Sequence, residues 1–364
     1  MKKIGKDDIT YQEFTYIIVG AIFGVGVLSL PNRLVEIARQ DGWISAAIGG
    51  VYPVYIALLT IYISKKFPED NILSISKKIF GKFIGSILNL LFSAQFFINL
   101  IGITSGAINL SIIYIVGFLN VLKVSIVVLI LAVYGTYLGL KVVGRISELM
   151  YYLTAVLLII PLIALKDGSL LNISPVLGAG VKNILKASVE TGFSYSGVEI
   201  MLLIYPNVKD KSNLKSATLK SVMVIVFIYT YITFLTTYFA GPDSTLKSYF
   251  SVMLLNETIN LPFLNSFRFV FMYMWIMIVF KTIINNYYSF TYTISNAIVK
   301  LNIKKMCIIL YPIILVVVNT ISNEATRRSF ISKSINYTAT FNIVFLSLVA
   351  IIIFFKKGEK NESI

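Results

Sequence analysis

The strongest constraint on this chain is a row of long stretches that contain no charged side chain. They occupy 14–32, 42–64, 83–122, 124–140, 149–165, 221–242, 306–323 and 334–355. A helix needs about 20 mostly apolar residues to cross a bilayer, where its backbone polar groups must find partners without water. Two further apolar segments carry charges within them. Segment 183–205 holds Lys186, Glu190 and Glu199, and segment 267–299 holds Arg268 and Lys281. If 83–122 is one long helix plus an outer loop, the chain has ten spans; if it holds two helices, eleven. Composition agrees with a membrane chain: charged residues are 13% of the total, about half the soluble average of ~25%, which is too few to coat 364 residues.

The distribution of basic residues decides between the two counts. With ten spans and a cytoplasmic N-terminus, 20 of the 32 Lys and Arg lie inside and 11 outside, with Lys281 in a span. With eleven spans the split becomes 17 and 14. Ten spans with both termini cytoplasmic is therefore expected. The first residues show no cleavage site, so no removable leader is expected. Segment 71–80 sets Ile72, Ile75 and Ile79 on one helical face and reads as an interfacial helix on the cytoplasmic surface. A second interfacial or re-entrant element is expected within 243–262. Trp43 reads as an aromatic anchor at the interface, Glu190 as interfacial, and Arg145 with Glu148 as a structural pair. The net charge of +15 does not indicate nucleic acid, because the basic residues are scattered between spans.

Conventional enzyme chemistry is nearly absent. There is no histidine, and Cys307 is the single cysteine. His triads, zinc sites and intrachain disulfides are excluded. No nucleophile–base pair is legible, so no catalysis, metal or cofactor is expected.

Two spans carry glycine where a continuous helix disfavours it, at about 1 kcal/mol each relative to alanine. The first runs Gly20-Ala-Ile-Phe23-Gly24-Val25-Gly26 and is followed by Pro31. The second runs Thr191-Gly192-Phe193-Ser194-Tyr195-Ser196-Gly197-Val198-Glu199 and is followed by Pro206. In a layout of two five-span halves (about 11–166 and 180–355, with a tail at 356–364), each glycine-rich span opens its half. Paired interruptions of this kind point to a transporter binding site. An unwound turn exposes backbone groups to a ligand, and the N-terminus of the following half-helix offers donors to a carboxylate. Close helix packing is the competing explanation of the glycines. Unwinding is expected over Phe23–Gly26 and Phe193–Gly197.

Nearby polar residues share helical faces: Gln95 with Asn99, four apart, and Asn285 with Tyr288, three apart. Either pair suits a polar cavity or an interhelical hydrogen bond. A membrane carboxylate such as Glu199 is costly and is a functional candidate. It reads either as a proton- or amine-sensing group or as a cap on the unwound turn.

The ordered motifs are Ile9-Thr10-Tyr11-Gln12-Glu13-Phe14, Gly24-Val25-Gly26 with Pro31, and Gln40-Asp41-Gly42-Trp43. Lys66-Phe67-Pro68, Gly139 through Gly144-Arg145-Ile146-Ser147-Glu148, Ser174-Pro175-Val176-Leu177 and Ser196-Gly197-Val198-Glu199 follow. This set resembles the endospore germination permeases, the B subunit of the spore nutrient germinant receptor. That family is similar to the amino acid–polyamine–organocation transporter superfamily. The resemblance spans most of the chain and implies an all-α integral membrane protein of about ten helices, a single permease-like domain over 1–364. It implies a 5+5 inverted-repeat transporter fold with helices 1 and 6 interrupted, and a site between spans one, three, six and eight. It also implies a small nutrient ligand (an amino acid, though some family receptors answer to sugars or nucleosides), A- and C-type partner subunits, and the inner spore membrane. Span eight would then face span one, where related transporters hold sodium. Lys281 reads as a surrogate for that ion, as half of an ion pair, or as a snorkelling side chain. Three functions remain open: a nutrient receptor, an amino-acid/proton symporter coupled through Glu199 or Lys281, and part of a ligand-gated ion-release channel.

Overall fold

A computed structural model of the chain describes residues 7–115, 117–118, 120–257, 267–297 and 302–355. The described residues are almost entirely helical; one parallel bridge pairs Ile9 with Val208. Helices α1 (Tyr11–Ile22) and α2 (Gly26–Ala38) form a first, interrupted segment. Helices α3 (Gly42–Gly49) and α4 (Val51–Lys66) form a second, and the short α5 (Ile72–Phe80) leads into α6 (Lys82–Tyr114). Next come α7 (Val121–Leu138) and α8 (Leu140–Ile159). A sixth segment is broken into α9 (Val181–Val189), α10 (Gly192–Tyr195) and α11 (Met201–Ile204). The remainder is α12 (Leu214–Lys247), the short α13 (Val252–Glu257), α14 (Phe267–Ala297), α15 (Ile303–Thr320) and α16 (Glu324–Phe355). Eight stretches have the length and hydropathy to cross a membrane, the first of them running from α2 through α4. Counting α1–α2 and α9–α11 as one broken segment each brings the total to ten. The run 83–122 is one helix followed by a turn, as the charge distribution required.

Local sequence sets the helix starts. Thr10 and Glu13 cap α1 reciprocally, the Thr10 hydroxyl accepting from the Glu13 amide and the Glu13 carboxylate from the Thr10 amide. Asn71 caps α5 and Asn120 caps α7. Among the described residues, the ion pairs cluster at two ends. Lys141–Glu13, Lys78–Asp70 and Lys211–Glu69 lie at the end expected to face the cytoplasm, at 2.6, 2.5 and 2.7 Å. Arg39–Asp243 at 2.6 Å and Arg268–Glu257 at 3.4 Å lie at the opposite end. Two of the sequence motifs also meet there. The buried Asp41 carboxylate accepts from the backbone amides of Leu177 and Ala179 at 2.8 and 2.9 Å. That clasp fastens the start of the second segment to the loop before the sixth.

Three expectations change, and a fourth lies partly outside the described residues. Helix α5 turns Ile72, Leu73 and Ile75 into the protein, and Ser76 donates to Asn89 of α6 at 2.7 Å. Its Lys77 ammonium reaches the Asn296 carbonyl at the end of α14. It braces α6 against α14, so its apolar face is covered by protein, not lipid. Arg145 is exposed and makes no ion pair with Glu148; the nearby pair is Lys141–Glu13. Trp43 is half-buried with its ring edge-on to Phe234 at 5.7 Å, a packing contact within the protein. Of the expected outer element, α12 bends at Gly241–Pro242 and α13 follows, while 258–262 and the tail 356–364 lie outside the described residues.

The topology is testable with single cysteines at positions 77 and 243 in a Cys307→Ser background. Membrane-impermeant thiol reagent should label them from opposite sides. Labelling of both from one side overturns the ten-span arrangement.

Candidate functional site

Helix α1 stops at Ile22 because Phe23 turns extended (φ −74°, ψ 96°), and the chain becomes helical again at Gly26. In the sixth segment α10 stops at Tyr195, Ser196 is extended (ψ 148°), and Gly197 takes φ 103° before a short 3-10 turn at Val198–Ile200. The second break is therefore shorter than expected, since Phe193, Ser194 and Tyr195 remain helical.

Each break frees backbone groups that, unpaired away from water, cost several kcal/mol apiece. Side chains from neighbouring helices pair them. The Tyr229 hydroxyl of α12 lies 2.9 Å from both the Ile22 and Ser194 carbonyls, so one group serves both breaks. The Phe23 carbonyl accepts from Thr282 at 2.6 Å and from Lys281 at 3.1 Å. The Ala21 carbonyl accepts from Asn286 at 3.2 Å.

The breaks also touch each other. A Cβ on Gly197 would fall 2.8 Å from the Ala21 carbonyl oxygen. One on Gly26 would lie 3.1 Å from Ser194 Oγ and 3.2 Å from its Cα. Gly20 and Gly24 follow the packing reading: they let α1 approach Asn285 and Thr282 of α14, where added Cβ atoms would lie 2.7 and 3.1 Å from side-chain atoms.

Glu199 is 0% exposed and accepts from three donors: the Tyr52 hydroxyl, the Gly197 amide at 2.9 Å and Asn342 Nδ2 at 3.2 Å. It caps its own break and ties that break to α4 and α16. Lys281 is 1% exposed. Its ammonium meets the Phe23 and Ile278 carbonyls and lies 5.3 Å from the centre of the Phe23 ring. Carbonyls and a ring, with no carboxylate among the described contacts, correct the ion-pair reading. Burial corrects the snorkelling one.

Gln95 and Asn99 converge on the second break. Ser196 Oγ donates to Asn99 Oδ1 at 2.9 Å, and Gln95 Nε2 donates to Ser196 Oγ. Gln95 Oε1 and Asn99 Nδ2 are buried without a partner. No side chain caps the N-terminus of α2, whose Val27 and Leu28 amides turn back to the Gly24 and Val25 carbonyls at 3.3 and 3.2 Å. Acceptor and donor capacity is thus left unused beside the breaks. Asn285 and Tyr288 are not part of this cluster. Asn285 pairs with Ser147 at 3.2 Å and approaches the Ile17 carbonyl, joining α14 to α8 and α1. Tyr288 lines a separate cavity of about 400 Å³ with Asp7, Tyr292 and Asn296. Among the described residues there is no cluster of three or more metal-ligating acids or thiols.

Sequence reasoning missed Tyr229, Thr282 and Asn286. Nothing local distinguishes Tyr229 within its apolar run. Thr282 and Asn286, four apart beside Lys281, form a polar face that the spacing rule applied to Asn285 could have found.

The family model described as spore germination protein matches residues 8–327. The chain belongs to the spore germination permease family. Spore germination protein YndE of Bacillus subtilis (strain 168) is 24% identical over 364 residues, covering 97% of this chain and 98% of its own. Spore germination protein GerQB of Bacillus cereus is 22% identical, covering 93% of each. Among solved structures, MhsT in complex with L-phenylalanine matches with a TM-score of 0.63 at 16% identity, covering 94% of this chain and 87% of that one. The likeness gives this family member the ten-segment transporter fold with interrupted first and sixth helices.

Gly197→Ala tests the junction. Left-handed backbone costs a non-glycine residue roughly 1–2 kcal/mol, and the Ala21 carbonyl must also move. The purified variant should melt at a clearly lower temperature than the parent; an unchanged melting temperature would show that the breaks do not pack this tightly.

Proposed function

We propose that this chain is the ligand-binding subunit of a nutrient germinant receptor. It takes a small nutrient, an amino acid, where its two helix breaks meet, and passes the resulting bias to A- and C-type partners in the inner spore membrane. The observation that carries the reading is the unused polar capacity at that junction: the buried Gln95 oxygen and Asn99 nitrogen beside the second break, which have no partner. An amino acid zwitterion has a group for each. Its ammonium suits the Gln95 oxygen, and its carboxylate suits the Asn99 amide N–H. Relatives named as germination proteins and a structural neighbour crystallised with L-phenylalanine support the same reading.

Binding there signals by favouring one arrangement of the broken helices. Reversing a 1:99 equilibrium to 99:1 requires about 5.5 kcal/mol of differential affinity. Tyr229 shares its single hydroxyl proton between the two breaks, so displacement of either break alters the other's pairing. Lys281 holds its amino group against the Phe23 carbonyl at the first break, in the place of a bound cation, and the response accordingly needs no sodium. The same group also suits a second reading, an amino-acid/proton symporter in which Lys281 carries the coupling charge.

Trp275, edge-on to Phe23 at 5.3 Å, is a built-in reporter of the first break. Its emission in the purified chain should change on titration with at least one of the twenty L-amino acids; no change and no thermal shift with any of them overturns the amino-acid assignment. Uptake of the binding amino acid by the reconstituted chain alone would favour the symporter over the receptor.

In spores, Gly26→Val should abolish the nutrient response while the protein still accumulates, because the side chain fills the space held against Ser194. Lys281→Met should do the same, and wild-type germination should be equal in sodium and potassium buffers. A normal dose response in both variants removes the basis of the site. Glu199→Gln, which keeps size but removes one acceptor oxygen, should change nutrient sensitivity more than protein level.

A further inference from the structure

A cavity of about 170 Å³ lies between α1, α8 and α12, and no residue of either helix break lines it. Its polar lining comes from Tyr11 and Gln12 in the first turn of α1 and from Asn213, Ser216 and Lys220 at the start of α12. Each of these side chains can donate: one ammonium, two amides and two hydroxyls. No carboxylate is among the lining residues. Glu13, next to Gln12 in sequence, is turned to Thr10 and Lys141. Asp210 is engaged by Ser212 and, at 3.4 Å, by Asn213. Among the described contacts the side chains of Tyr11, Gln12, Ser216 and Lys220 have no hydrogen-bond or ion-pair partner. A cation that meets no acid, surrounded by uncharged donors, suits an anionic group.

Beyond the cavity the same surface turns apolar. Ser216, Lys220, Met223 and Phe227 follow at helical spacing along one face of α12. The first two line the cavity, whereas Met223 and Phe227, on the next two turns, are 62% and 69% exposed. Such side chains on a membrane-crossing helix face lipid. Tyr16 and Tyr151 form the apolar wall of the cavity, with ring centres 4.7 Å apart, and the exposed Tyr152 lies 5.9 Å from Tyr16. Tyrosine favours this level of a membrane protein, where head groups meet hydrocarbon. One face thus passes from donors to lipid-facing side chains within two turns. A phospholipid presents its head group and chains in that order, and a free anion would match only the polar part.

We propose that this cavity holds the head group of an anionic phospholipid, with its phosphate at Lys220 and its acyl chains along Met223 and Phe227. Tyr11 and Gln12 belong to α1, Lys220 to α12 and Tyr151 to α8. One head group therefore ties the half-helix before the first break to two neighbouring helices. The site uses none of the groups at the breaks, so it stands whether or not the chain binds an amino acid.

The test uses the purified full-length chain in a neutral detergent, titrated with dioctanoyl phosphatidylglycerol or dioctanoyl phosphatidylcholine. Bound lipid is counted by native mass spectrometry, and melting is followed by thermal shift. The wild type should bind the phosphatidylglycerol about 5-fold more tightly or better, the scale of one lysine at an anionic lipid surface. Only that lipid should raise the melting temperature. Lys220→Met should bind the two lipids alike, and Lys220→Arg should keep the preference. Lys215→Met removes an exposed charge of the same helix that does not line the cavity, and should behave as wild type. Inorganic phosphate should not displace the lipid. Equal binding of the two lipids by the wild type, or a loss of preference in Lys215→Met as large as in Lys220→Met, overturns the site. Displacement of phosphatidylglycerol by an equal concentration of inorganic phosphate overturns the lipid as its occupant.

Discussion

A backbone break inside a bilayer has to be paired by something other than water. Two helices of this chain are broken at mid-segment, and the pairing comes from side chains of α12 and α14: Tyr229 for the carbonyls of Ile22 and Ser194, Lys281 and Thr282 for Phe23, and Asn286 for Ala21. The polar content of α14, unusual for a buried helix, follows from this requirement. Glu199 follows from it too, since its carboxylate holds the Gly197 amide while Tyr52 and Asn342 hold the carboxylate. Tyr229, Lys281, Thr282, Asn286 and Glu199 are each matched to a backbone group that would otherwise be costly itself.

Glu199 and Lys281 do not pair with each other. Lys281 serves the first break and Glu199 the second, and they draw their other contacts from different helices. The junction therefore has separate attachments on α4, α14 and α16, each able to register a shift of the break it holds. Such an arrangement suits a chain that reports binding, and a transporter fold provides it because its two broken helices already face each other. The Asp41 clasp fastens the start of the second segment to the loop before the sixth, and Arg328, bonded to Glu324, reaches Asn32 of α2 at 3.4 Å.

Much of this was legible before any coordinates. Charge-free runs located the segments, the distribution of Lys and Arg chose ten over eleven, and the glycines at 24, 26 and 197 marked the breaks. Gln95 and Asn99 were found because helical spacing puts them on one face. The same rule grouped Asn285 with Tyr288, but spacing within one helix does not say which neighbour that face meets. Asn285 turned to Ser147, and Tyr288 to a separate cavity. Helix α5 was misplaced for a related reason: an amphipathic pattern requires that its apolar face be covered, and lipid and protein cover it equally well.

What the sequence determined alone is what the bilayer imposes on any chain: where helices cross, which loops carry positive charge, and where backbone conformation demands glycine. These are local requirements, met residue by residue along the chain. Only the tertiary structure decided which side chains repair the breaks, that Lys281 meets carbonyls and no carboxylate, and that Arg327 and Val25 meet at Gly106. Apart from Tyr229 and Ser194, 35 apart, the partners across helices lie more than 200 residues apart in sequence. Their pairing is set by how whole helices pack, a property no single helix's pattern contains.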